Sequence, residues 1–144
     1  MTPPSGYLTF NQFFARHVKP GRRPVHAACD DRVLVSPAET VDGNVVNTIE
    51  AVEGTGYQFL QTRGLVVLET AHGLVACLPV GMAQVSSVVI TAEVGVALRK
   101  GEEMGYFQFG GSDLVMVFES RCGVVFDVVP DQHTPQGRRI GRIG

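Results

Sequence analysis

A mainly β fold, an antiparallel sandwich or barrel led by one short N-terminal helix, is what this sequence predicts. Three observations carry the prediction. From Arg32 onward, short runs rich in β-branched and aromatic residues follow one another. Glycine, proline, aspartate or asparagine punctuates them at intervals of about 8–12 residues, the spacing of hairpin-linked strands. Ahead of them stands one apolar stretch whose period is helical rather than alternating.

The helix is expected in "LTFNQFFARHV", where Leu8, Phe10, Phe13, Phe14 and Val18 recur near helical spacing and Thr9 or Asn11 can cap the start. Pro20, Gly21 and Pro24 in "KPGRRP" then stop it. Strands are expected in "RVLVSP", "GNVVNTI", "GYQFLQT", "GLVVLET", "GLVACLPVG", "AQVSSVVIT", "MGYFQFG", "DLVMVFE" and "GVVFDVV". Alternation and continuous apolar runs put Val67, Leu68, Val75, Cys77, Val88, Val89, Leu114, Met116 and Phe118 in the core, with Phe10, Phe13 and Phe14 packing the helix on a sheet. Gly110-Gly111-Ser112 is expected to turn the chain between antiparallel strands Gly105–Phe109 and Asp113–Glu119. The end of the chain, 130–144, shows no periodicity and predicts a mobile tail.

Composition narrows the function classes. A chain of 144 residues, 44% apolar and 18% charged, is long enough for a single domain with one core, here taken as 1–144. A net charge of −2 argues against a nucleic-acid binder, which needs a basic face. Cys29, Cys77 and Cys122 are odd in number, widely spaced and without a CxxC pair, so no disulfide framework, no metal site and a reducing compartment are expected. The apolar runs are too short to span a bilayer, and "MTPPSGYL" has no secretory pattern, which predicts a cytoplasmic or peripheral membrane protein.

One tripeptide carries chemistry beyond a turn. In Gly111-Ser112 the serine hydroxyl can attack the preceding carbonyl and exchange the amide for an ester. The shift is uphill unless the turn strains the peptide and donors stabilise the oxyanion. Glycine leaves that carbonyl uncrowded and permits conformations closed to other residues. Elimination from the ester turns the serine into dehydroalanine, and hydrolysis leaves a pyruvoyl group at a new N-terminus. Its ketone condenses with a substrate amine and acts as an electron sink for decarboxylation. On its own "GGS" is a weak signal and far more often the mark of a structural hairpin.

The surrounding motifs resemble those of the phosphatidylserine decarboxylase family in several places and in the same order. "FNQFFARHVKPGRRPV" resembles its N-terminal signature, "VSPAE" its "SPADG" element and "VEGTGYQFL" its "VxGxxY" segment. "VACLPVGMAQVSSVVIT" resembles a glycine-containing strand, and "LRKGEEMGYFQFGGSDLVMVFE" the segment "KGxExGxFxxGSTVxxxFE" with Ser112 at the cleavage position. Parts of the chain also resemble the hammerhead arrangement of biotinyl and lipoyl domains. The resemblance implies a pyruvoyl-dependent decarboxylase, with Ser112 the pyruvoyl precursor, Gly111 the donor of the scissile carbonyl and Glu39 the acidic partner. It implies a phospholipid or amino-acid substrate and leaves room for a peripheral membrane contact and a homodimer.

The chain departs from the family pattern at two points. Glu39-Thr40 stands where the family has aspartate and glycine, and the long central segment carrying a "YHRxHxP" motif has no counterpart. The histidine of that motif is the family's base for self-cleavage. Glu39, His72 in "ETAHGLV" or a group from a second chain is left to replace it, against the ordinary reading of His72 as a surface turn histidine, and slow or no self-processing is expected. An alternative follows: a shortened, inactive family member that stays as one chain. A third reading, an acyl carrier displaying Lys100 at a hairpin tip, lacks the flanking residues such a lysine needs.

Overall fold

Local chemistry at Thr9 starts the first element, α1 (Phe10–Phe14), in the computed structural model, which describes residues 6–39, 62–81, 87–108, 112–130 and 132–144. The Gln12 N–H donates to Thr9 Oγ1 at 3.2 Å while Gln12 Oε1 accepts from the Thr9 N–H at 3.3 Å, a reciprocal capping box. The helix is shorter than the apolar period suggested. It ends at Ala15, and Phe10 and Phe13 remain 57% and 44% exposed. The expected burial of its aromatics is corrected for Phe10 and Phe13, while Phe14 is half-buried; the Phe10 ring meets Phe13 and Phe14, Tyr7 meets Phe13, and Arg16 covers the Phe13 ring. A single turn that buries only part of its apolar face gains little from propagation, so it goes no further.

Eight strands follow: β1 (Val33–Val35), β2 (Val66–Thr70), β3 (Gly73–Gly81), β4 (Val88–Ile90), β5 (Gly105–Phe107), β6 (Ser112–Phe118), β7 (Val125–Phe126) and β8 (Arg139–Arg142). They form antiparallel sheets in the orders β1-β8-β7, β2-β3-β6 and β4-β5, without a closed barrel among the described residues. The fold is thus mainly β with one short helix, as the spacing of the runs predicted. The strands expected in "GNVVNTI" and "GYQFLQT" lie outside the described residues, as do Gly110 and Gly111.

Two expectations about connectivity are corrected. β5 pairs with β4 and β6 pairs with β3, so the runs flanking Gly110-Gly111 belong to different sheets and are not partners in one hairpin. The stretch 130–144 is not a structureless tail: β8 is the middle strand of its sheet, and Ile143, only 7% exposed, enters the core. Its strand character was hidden by Gly141, which has no side chain to show a period but lies flat under the Val125 carbonyl.

The core is small and is built on β3. Val75 and Cys77 point inward beside Cys122 and Ile143, with Val66, Leu68, Met104, Met116, Phe118 and Val124 packed around them. Register explains the choice: Val75 stands opposite Leu68 and Phe118, and Cys77 opposite Val66 and Met116. Val67 falls on the other face, opposite Ala76, and is 55% exposed, which corrects its placement in the core. Val115 and Val117 lie on that same outer face. A short 3-10 turn, Ser120–Cys122, folds back over β3, and Glu119 accepts from the Leu74 N–H at 2.9 Å and the Arg121 Nε at 2.7 Å. These two donors hold the Glu119 carboxyl below its usual range.

Lys100 has a structural task. Its ammonium donates to the Ala27 and Asp30 carbonyls at 3.0 and 2.9 Å and ties the turn around Gly101 to the segment after His26. Partial desolvation pulls its pKa down against the nearby Asp30 and Asp31 charges. A lysine so engaged is not displayed as a carrier lysine is. Among the described residues no helix is long and apolar enough to cross a membrane.

Candidate active site

The strand β6 opens at Ser112, whose ladder partner is Gly81 at the far end of β3. The residue opposite the serine therefore brings no side chain to crowd a group formed there. Gly81 is itself anchored by its N–H donating to the Thr62 carbonyl at 2.8 Å. Gly111, the other half of the proposed scissile bond, lies outside the described residues.

His72 sits at the opposite end of the same strand. It occupies the two-residue turn between β2 and β3, with its backbone N–H donating to Thr70 Oγ1 at 3.1 Å. Gly73 and Gly81 are the two ends of β3, and a strand of that length spans about 26 Å. The structure therefore does not bring His72 to Ser112.

Glu39 follows β1 and is held from two sides. Arg23 donates from Nε to Oε2 at 2.9 Å and from Nη2 to both carboxylate oxygens at 2.7 Å. On the other side His133 Nε2 lies 3.2 Å from Oε1. The Arg23 hydrogen bonds, more than its charge, hold the Glu39 carboxyl below the usual carboxylate range; slight desolvation opposes them and His133 adds to them. The pairing joins three distant parts of the chain, the "RRP" segment, the "SPAE" element and the stretch before β8.

Backbone contacts explain why these parts meet. The His26 N–H donates to the Gly137 carbonyl at 2.9 Å, and the Gly137 N–H donates to Ser36 O at 2.8 Å. Ser36, 5% exposed, also caps its own turn by donating from Oγ to Ala38 O at 2.6 Å. Gln136 Nε2 reaches Pro37 O at 3.1 Å. Gly137 has a φ of +82°, and a Cβ there would stand 2.9 Å from Pro24 O, so only glycine fits the crossing. Sequence reasoning missed His133 because its stretch looked unstructured. The signal available was the proline-glycine pair "PQG", a turn that returns the chain to a partner.

The remaining nucleophile candidates are quiet. Cys77 and Cys122 are buried, and desolvation pushes the Cys77 thiol up, away from the reactive thiolate. Cys29 is exposed and free.

Comparison with known proteins gives the same direction as the motifs. The family model described as phosphatidylserine decarboxylase matches residues 39–142. Decarboxylase iboD of Amanita muscaria is 34% identical over 94 residues, covering 62% of this chain and 27% of that protein. Phosphatidylserine decarboxylase proenzyme 3 of Schizosaccharomyces pombe is 25% identical over 187 residues, covering 81% of this chain and 19% of the relative. Phosphatidylserine decarboxylase proenzyme 2 of Oryza sativa subsp. japonica is 22% identical over 196 residues, covering 87% of this chain and 31% of the relative. The chain thus spans less than a third of the length of these relatives. The last two alignments are longer than the 144-residue chain itself, so those relatives carry a stretch with no counterpart here. No solved structure matches. With the family model covering 39–142 and the motifs falling in order, this chain belongs to the phosphatidylserine decarboxylase family.

Proposed function

We propose that this chain is a pyruvoyl-dependent decarboxylase of the phosphatidylserine decarboxylase type, matured by cleavage between Gly111 and Ser112. The observation that carries the reading is the family match, within which Ser112 falls at the cleavage position of the motif and at the start of a paired strand. In maturation Ser112 Oγ attacks the Gly111 carbonyl, the amide becomes an ester, and elimination followed by hydrolysis releases ammonia. The new N-terminus then heads β6 opposite Gly81, a ladder partner without a side chain. A pyruvoyl group there supplies an electron sink for loss of carbon dioxide from an amine-bearing substrate, a phospholipid head group or an amino acid.

Cleavage needs a base within hydrogen-bond reach of the serine oxygen. The length of β3 separates His72 from Ser112, which leaves the role to Glu39, held by Arg23 and His133, or to a group from a second chain. The Glu39 carboxylate is the family's acidic partner one methylene longer.

Intact-mass measurement of the purified chain tests the reading. Maturation gives two fragments, Met1–Gly111 and one beginning at the former Ser112, with the second taking up a carbonyl reagent. Ser112→Ala is expected to abolish cleavage and Glu39→Gln to slow it about a hundredfold, with His72→Ala near wild type. Cleavage that persists in Ser112→Ala refutes the assignment. A second reading has its own support in the stretch that relatives carry and this chain lacks. In it the chain is a shortened, inactive member. One uncleaved mass, inert to the carbonyl reagent, is its signature.

A further inference from the structure

We propose that the cleft between the "GRRP" loop and the residues before β8 is an anion site built for a phosphoryl group. The inference rests on the decarboxylase reading only for its biological purpose; binding itself does not require cleavage. Arg22, Arg23, His26 and Arg138 line a cavity of about 470 Å³ together with Pro24 and Gln136. That volume falls in the range of ligand sites, about 300–1,000 Å³. Four cationic or titratable nitrogen side chains converge here in a chain whose net charge is −2.

Their pairing is incomplete. Arg23 is taken by Glu39. Neither Arg22 nor Arg138 has a carboxylate partner among the described residues. Guanidinium groups on mobile chain would drift apart. These are carried by two segments that His26, Gly137 and Ser36 lock together through backbone hydrogen bonds. The fold thus holds like charges around one space, an arrangement that a bound anion relieves.

The disposition favours a phosphoryl group over a carboxylate. A flat carboxylate is satisfied by one guanidinium fork, as Glu39 is by Arg23. Arg22 and His26 reach this cleft from the "GRRP" loop and the segment after it, and Arg138 from the residues before β8, so donors from two separate segments suit an anion with oxygens in several directions. The site also adjoins the Glu39–His133 pair. His26 and Arg138 form the shared wall with a second cavity of about 460 Å³, and His133, the partner of Glu39, lines that one. The anion could reach the cleft on a lipid head group or on a soluble phosphate compound.

Titration calorimetry of the full chain with inorganic phosphate decides the point, and the same proteins in vesicle sedimentation distinguish the source. Wild type is expected to bind phosphate, and Arg22→Gln and Arg138→Gln each to weaken binding about tenfold. Lys19→Gln, a charge lost outside the cleft, is expected to leave affinity within about twofold. Melting curves establish that each variant is folded. Sedimentation with phosphatidylcholine vesicles containing phosphatidylserine, lost in the two arginine variants, supports a lipid source. Phosphate binding without vesicle binding supports a soluble one. Absence of phosphate binding by the folded wild type overturns the proposal, as does equal weakening by Lys19→Gln. An uncleaved protein that still binds phosphate leaves the anion site standing and counts against the decarboxylase reading alone.

Discussion

Replacing Glu39 with glutamine removes a charge while keeping nearly the same shape, and its cost depends on pH in a direction the structure dictates. Glu39 accepts three close contacts from Arg23 and one from His133. The side chains of Arg23 and Glu39 are 35% and 38% exposed, so water screens the pair and its worth is set at about 1 kcal/mol, the upper end for exposed pairs. For a chain of this size that corresponds to a loss of about 3 °C in melting temperature. Because the Glu39 carboxyl is held below its usual range in the folded protein, its contribution is complete above the unfolded carboxylate value, about 4.3. It is lost as pH falls through the lower folded value, where wild type and Glu39→Gln converge. Thermal melts of both proteins followed by circular dichroism from neutral to acid pH read this directly. A parallel series at about 1 M salt should shrink the neutral-pH gap, since the screening length there is only about 3 Å. A gap that widens toward acid, or none at neutral pH, refutes the reasoning.

Other outcomes follow from the packing. Gly101→Ala forces a side chain into a φ of +86° and against Val25 Cγ2, so a loss of about 1–3 kcal/mol is expected in denaturant melts; a neutral substitution would contradict the turn. A thiol reagent applied to the native protein should add once, at exposed Cys29, and three times after unfolding, as counted by mass, because Cys77 and Cys122 are buried. Val75→Ala should cost about 2 kcal/mol, whereas Val67→Ala, on the exposed face of the neighbouring strand, should stay within about 0.5 kcal/mol in the same melts.

Much of the strand order was legible because short β-branched runs with turn residues between them have few other solutions. "GLVACLPVG" became β3 with the boundaries its flanking glycines mark. "GLVVLET" became β2, and its turn with β3 falls on Ala71-His72. Local capping was equally readable, since Thr9 and Gln12 are three residues apart and need nothing distant to meet. The helix is shorter than its period for the converse reason: an apolar period states that a face favours burial, and Phe10 and Phe13 stay largely exposed.

By itself the sequence determined the family, the position of the Gly-Ser bond and the mainly β class, because each is written in contiguous residues. Only the tertiary structure decided which distant groups share a site. Glu39 and His133 are 94 positions apart and meet because backbone hydrogen bonds from Gly137 bring the last strand beside the first. His72 looked like a substitute base on residue type alone, and the length of β3 took it away from Ser112. Register likewise divided Val67 from Leu68, sending one outward and the other to the core, since adjacent side chains of a strand point to opposite faces. Chain-local chemistry is set by neighbours in sequence; the choice of partner, base and buried face depends on distances that exist only after the strands have paired.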